Sequence, residues 1–86
     1  MDKNTIEITL KLFAVYQEAL GVEEKTLVVP VGTTAGEVCD RLIADHPELA
    51  QWKDLTRFGV NLQFVEAHTV LTAGDELVLI PPVSGG

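Results

Sequence analysis

An α+β domain in which one helix covers a four- to five-stranded mixed sheet is the fold class this sequence predicts. Three observations carry it. Apolar and polar residues alternate from Ile6, an amphipathic helical pattern begins at Thr34, and a continuous apolar run occupies residues 77–80. A chain of 86 residues has room for one core and no second. A single sheet needs an apolar cover, and one amphipathic helix supplies it.

The first strand is predicted over residues 6–12, where Ile6, Ile8, Leu10 and Leu12 share one face and Glu7, Thr9 and Lys11 the other. Residues 13–20 are too short for more than a turn or a brief helical piece, which Gly21 ends. A second strand over residues 25–31 is rich in aliphatic and β-branched residues, and Pro30 makes it an edge or ends it. The two strands read as a hairpin.

Thr34-Ala35-Gly36-Glu37 matches a capping box, in which hydroxyl and carboxylate satisfy the free N–H groups of a helix start. Ala35, Val38, Cys39, Leu42 and Ile43 then recur on one helical face. Glu37 and Arg41 are spaced as an ion pair on the other. His46-Pro47 ends the helix, because the residue before proline resists helical geometry. Leu49, Trp52 and Leu55 are expected to cover one end of the core from a short helical turn. Phe58, Val60, Leu62 and Phe64 alternate as in a strand, which a turn at Asn61 would split in two; residues 58–65 are thus one strand or a hairpin. Thr72-Ala73-Gly74-Asp75 signals a turn, and the run Leu77-Val78-Leu79-Ile80 suits a central strand buried on both faces. Strand, strand, helix, one or two short strands and a final buried strand is the order of a β-grasp, or ubiquitin-like, roll.

Beyond Ile80 the chain reads Pro81-Pro82-Val83-Ser84-Gly85-Gly86. Two prolines cannot donate to a ladder and favour extended backbone, so the expected division is a domain over residues 1–80 and a flexible, projecting tail over residues 81–86. Six extended residues reach roughly 20 Å, enough to enter another protein's active site. Glycine at the last two positions lets a narrow channel close around the backbone and exposes the terminal carboxylate.

Six basic and thirteen acidic residues give a net charge of −7, which argues against nucleic acid or an anionic membrane as partner. If the charge is used, it steers basic protein partners. No apolar run approaches the ~18 residues of a membrane span, and no basic stretch with an apolar run opens the chain as in a signal peptide. The single cysteine, Cys39, has no partner for a disulfide and fits a reducing, cytoplasmic location. It lies on the apolar stripe of the helix, so a buried core thiol is expected rather than a sulfur relay. His46 and His68 lack companions at metal-ligand spacing, so no metal site is expected. Trp52 and Phe58 suit a core position and an interface equally.

Gly74-Asp75-Glu76-Leu77 followed by Leu79-Ile80-Pro81-Pro82-Val83-Ser84-Gly85-Gly86, with weaker support from Val60-Asn61 and the helix from Thr34, resembles the ubiquitin-like sulfur carriers of the MoaD/ThiS type. Among these it is most similar to the small subunit of molybdopterin synthase. Leu62-Gln63-Phe64 departs from the more polar turn usual in that family.

The resemblance implies that Gly86 is the reacting residue, Gly85 gives clearance, and Pro81, Pro82, Val83 and Ser84 position the tail. An adenylyltransferase resembling ubiquitin-activating enzymes would use ATP to make an acyl-adenylate of Gly86, and sulfur would replace AMP to give a thiocarboxylate. Docked on the large synthase subunit, two carriers per large-subunit dimer in a heterotetramer, that thiocarboxylate would donate sulfur to cyclic pyranopterin monophosphate in molybdenum cofactor biosynthesis. The chain would be a carrier and co-substrate with no bound cofactor, rather than a catalyst. A carrier for thiamin, cysteine or tungsten-pterin synthesis, and a non-catalytic β-grasp interaction module, are the alternatives.

Overall fold

The computed structural model describes residues 4–82. Five strands form one mixed sheet in the order β2-β1-β5-β3-β4. These are β1 (Thr5–Leu12), β2 (Glu24–Pro30), β3 (Arg57–Val60), β4 (Gln63–Val65) and β5 (Glu76–Ile80). Two α-helices, α1 (Ala14–Leu20) and α2 (Ala35–Asp45), and a 3-10 helix (Pro47–Leu55) complete the fold. It is the predicted α+β β-grasp. Among the described residues no helix is long and apolar enough to cross a membrane.

The alternation in β1 does what its period demands: Ile8, Leu10 and Leu12 are buried, and Thr9 and Lys11 face the other way. β1 pairs antiparallel with the edge strand β2, but α1 rather than a tight turn connects them. Gly21 caps α1 at φ 75°, a left-handed conformation for which glycine carries no steric cost.

The capping box of α2 forms as predicted. The Glu37 N–H donates to Thr34 Oγ1 at 3.2 Å, and the Thr34 N–H donates to Glu37 Oε1 at 2.9 Å. This has a consequence for the expected Glu37–Arg41 ion pair, which does not form. The Glu37 carboxylate is occupied by the cap, and Arg41 Nη1 instead points to the Val28 carbonyl at 3.5 Å. α2 lays Ala35, Val38, Cys39 and Leu42 onto the sheet residues Leu10, Leu77 and Leu79 to make the core. The 3-10 helix buries Leu49 and packs Trp52 against this core, whereas Leu55 turns outward and stays exposed. Lys53 Nζ, 2.7 Å from Asp40 Oδ1, ties the 3-10 helix back to α2.

Residues 58–65 form a hairpin, and this changes which side chains share a face. A two-residue loop, Asn61-Leu62, sets Val60 opposite Gln63, Gly59 opposite Phe64 and Phe58 opposite Val65. Phe58 and Phe64 therefore lie on opposite faces: Phe58 is in the core, and Phe64 is exposed. β5 is central, as expected, parallel to β1 and antiparallel to β3. It is not buried on both faces, however. Leu77 and Leu79 are fully buried while Val78 and Ile80 are only half-buried, because both helical layers lie on one side of the sheet.

Candidate functional site at the tail root and the outer sheet face

Pro81 follows directly on a strand that is held on both sides. β5 is paired on both edges, and its inward side chains, Leu77 and Leu79, are inaccessible to solvent. Its ladder with β3 ends where Ile80 meets Arg57, and Pro81 has no N–H with which to continue it. Pro81 and Pro82 are half-buried, so the exit begins against the domain. Val83, Ser84, Gly85 and Gly86 lie outside the described residues. Of the predicted site, the structure thus places Pro81 and Pro82 and the strand that aims them.

The sheet face away from the helices is apolar beside this exit. The strand registers set Lys11, Val78, Gly59 and Phe64 side by side across four strands. Phe13 and Ile80 continue this surface toward the tail, and Leu62 continues it the other way. Phe64 is 74% exposed and Leu62 91%. Together these residues line a shallow concavity of about 340 Å³. Lys11 Nζ sits at its edge, 3.6 Å from Glu24 Oε1 and 3.7 Å from Glu76 Oε2, so its charge is balanced within the chain. A contiguous exposed apolar surface on so small a domain makes this face a candidate interaction site. Reading 58–64 as a single alternating face hides this surface, since parity reverses across a two-residue loop. The available signal was the apolar residues of both parities in 77–80.

A polar clamp holds the loop that carries Leu62. Asp75, 9% exposed, accepts from the Thr72 N–H at 2.8 Å, the Thr72 hydroxyl at 3.0 Å and Asn61 Nδ2 at 2.9 Å. The Asn61 side-chain oxygen in turn accepts from the Glu76 N–H at 3.0 Å, and the Asn61 N–H donates to the Glu76 carbonyl at 3.0 Å. Burial pushes the Asp75 carboxyl up, but these hydrogen bonds to its ionised form outweigh burial and leave it below the usual aspartate value. The clamp thereby locks the β3–β4 loop to the start of β5.

The remaining singled-out residues belong elsewhere. Cys39 is fully buried, and burial raises its thiol pKa, which suits a core residue and not a sulfur relay. Its Sγ lies 3.7 Å from the Tyr16 hydroxyl, which is also 2.6 Å from Thr56 Oγ1. Thr56 donates onward to the Trp52 carbonyl at 2.8 Å. Burial pushes Tyr16 up to about 12, so this chain of hydroxyls stays protonated and fastens α1 to the 3-10 helix. His46 Nδ1 lies 3.8 Å from Glu48 Oε2, and His68 is exposed. Among the described residues no three His, Cys, Asp or Glu side chains gather as metal ligands. Trp52 and Phe58 both serve the core.

The model of the ThiS family matches residues 10–86. A molybdopterin synthase sulfur carrier subunit from Arabidopsis thaliana is 33% identical over 85 residues, covering 99% of this chain and 88% of the relative. Small archaeal modifier protein 1 from Haloferax volcanii is 36% identical over 87 residues, covering 88% of this chain and 97% of the relative. Its crystal structure superposes with a TM-score of 0.76 at 32% identity, over 93% of this chain and 99% of that one. The fold is also that of a chain in the complex of subunits 1 and 2 of the molybdopterin-converting factor from Helicobacter pylori, with a TM-score of 0.62 at 20% identity over 94% and 100% of the two chains. With a ubiquitin-like β-grasp core, a central strand leading into Pro81-Pro82 and a family match that runs to the final glycine, this chain belongs to the ThiS/MoaD family.

Proposed function

We propose that the chain is the sulfur carrier subunit of a molybdopterin synthase and that its reagent is the carboxyl group of Gly86. The observation that carries this reading is the family match through residue 86, joined to near full-length similarity to a sulfur carrier subunit. An α-carboxyl ionises at about 3.3–3.7, so at neutral pH Gly86 is a carboxylate and a poor electrophile. Its oxygen attacks the α-phosphorus of ATP on an adenylyltransferase partner, releasing pyrophosphate. A sulfur nucleophile then displaces AMP and leaves a thiocarboxylate. On the large subunit that sulfur bonds to a carbon of the pyranopterin substrate and expels the oxygen substituent there, and water then cleaves the acyl–sulfur bond, leaving the sulfur on the pterin and returning Gly86 to the carboxylate. The acids and bases for these steps belong to the partners. This chain contributes reach, clearance and docking, the last through the apolar outer face beside the tail root.

Intact mass spectrometry after incubation with the adenylyltransferase, ATP and a sulfur donor tests the reading. The expected product carries one oxygen-to-sulfur exchange at the C-terminus, and deletion of Gly86 abolishes it. An unchanged mass in the full-length chain overturns the carrier class. If the thiocarboxylate forms but sulfur passes to a different acceptor, the pathway assignment falls and the carrier survives.

Similarity to an archaeal modifier protein favours a second use of the same activated carboxyl. A lysine amine in place of sulfur would displace AMP and leave an amide between Gly86 and the target protein. Branched peptides in which a target lysine carries the C-terminal residues of this chain, recovered after proteolysis of cells expressing it, identify this use.

A further inference from the structure

Two positions on the outer face hold residues that the fold does not require. Leu62 occupies the second position of the β3–β4 loop at φ 73°, where bulky side chains are rare and Gly or Asn serves without steric conflict. At 91% exposed, its side chain recovers nothing by burial within the domain. Gly59 has the opposite character. A Cβ there would meet the Gln63 carbonyl oxygen at 3.7 Å, Val78 Cβ at 3.8 Å and Ile80 Cδ1 at 3.9 Å, all ordinary contacts. Glycine weakens a strand interior and often marks close approach by another molecule. One position thus adds an apolar knob at a conformational cost, and the other leaves a hollow that the sheet could have filled.

We propose that Leu62 and the hollow at Gly59 anchor the carrier on the large subunit, the knob entering an apolar pocket of that subunit and the hollow receiving one of its apolar side chains. This rests on the reading above, that the outer face docks on the large subunit. The surface is continuous along β5 from Leu62, near Glu76, to Ile80 at the tail root, on the order of 13 Å for a strand of that length. A body that receives the tail sits against the Ile80 end, and the apolar surface gives it cover as far as Leu62. Contact at the end remote from the tail opposes rocking of the domain and so sets the direction in which the tail enters. The Asn61–Asp75 clamp serves this by holding the loop in the strained conformation that projects Leu62. A lasting subunit complex gains most from such an anchor, because anchors act mainly on dissociation. A second copy of the chain on this surface would instead close the face beside which each tail leaves.

The test compares wild type with Leu62→Asn, Leu62→Gly and Gly59→Val in binding to the purified large subunit of the same organism, with thermal melting of each carrier alone. The expected result is melting at or above the wild-type temperature for all three variants, with affinity weakened about ten-fold or more through faster dissociation. Affinities within about two-fold of wild type overturn the proposal, as does lower melting of any variant, which would show that the fold needs these residues. Weaker thiocarboxylate formation with unchanged large-subunit affinity overturns it in favour of the activating partner. A self-associating wild type made monomeric by Leu62→Asn, again with unchanged affinity, overturns it in favour of a second copy. Failure of wild type to bind the large subunit is distinct from these, since it defeats the functional reading and this proposal together.

Discussion

The two faces of the central strand carry the same chemistry to different ends. Leu77 and Leu79 point inward and are fully buried under α2, while Val78 and Ile80 point outward and remain half-buried with no layer over them. Four consecutive aliphatic residues are therefore split by backbone pleat into two that hold the fold and two left on the open face. Apolar character alone does not tell a core residue from a docking residue; the position of the covering layer does. The molecule is in effect a sandwich with one slice in place.

Substitutions on each face should separate these roles. The largest expected effect is from Leu79→Ala, which leaves a cavity beneath α2 and costs about 2–5 kcal/mol of stability in a denaturant titration. A loss under about 1 kcal/mol would show that the inner face is looser than its burial indicates. Next, Phe64→Ser should leave the denaturation midpoint nearly unchanged, since that ring is 74% exposed, while weakening large-subunit binding by about 2 kcal/mol in calorimetry. Equal binding by wild type and this variant would remove the outer face from the interface.

The clamp beneath the outer face is sensitive to pH in a direction that can be derived. Asp75 has a folded-state pKa below its unfolded value, so it stabilises the fold at pH above the unfolded value of about 3.9 and loses that contribution as pH falls through the folded value. The urea midpoint of wild type should therefore drop more between about pH 6 and pH 3 than that of Asp75→Asn, which has no carboxylate to protonate. Parallel curves for the two proteins would show that Asp75 gains nothing from its hydrogen bonds. The smallest expected effect is electrostatic. With a net charge of −7, association with a basic partner should slow as salt rises, whereas dissociation from the apolar face should hardly respond. Stopped-flow rates across a salt series decide this, and a salt-independent association rate eliminates steering.

Much of the architecture was legible along the chain because its signals are local. The Thr34–Glu37 capping box, the alternation from Ile6 and the break at His46-Pro47 each specify backbone over a few residues, and each element forms where expected. Where the structure departs from these local signals the physical origin is shared, because the identity of a neighbour is a long-range fact. Spacing pairs Glu37 with Arg41, but its carboxylate is held by the Thr34 N–H. The pattern places Leu55 in the core with Leu49 and Trp52, but the 3-10 helix turns it to solvent. For residues 58–65 the alternation leaves one strand and a hairpin both open, and the cross-strand register with the Asn61-Leu62 loop decides for the hairpin.

The chemistry of the site divides in the same way. Pro81, Pro82 and the terminal glycines are a covalent sequence, and what proline withholds from a ladder or glycine permits in a channel follows from their structures alone. The order of elements and the central placement of β5 also follow, since hydrophobic period and turn residues act within a few positions. Only the tertiary structure decided which of the apolar residues around 58–80 are left on the open face of the sheet. That choice depends on strand register and on both helical layers packing against one side of the sheet, contacts between residues distant in sequence that no local pattern encodes.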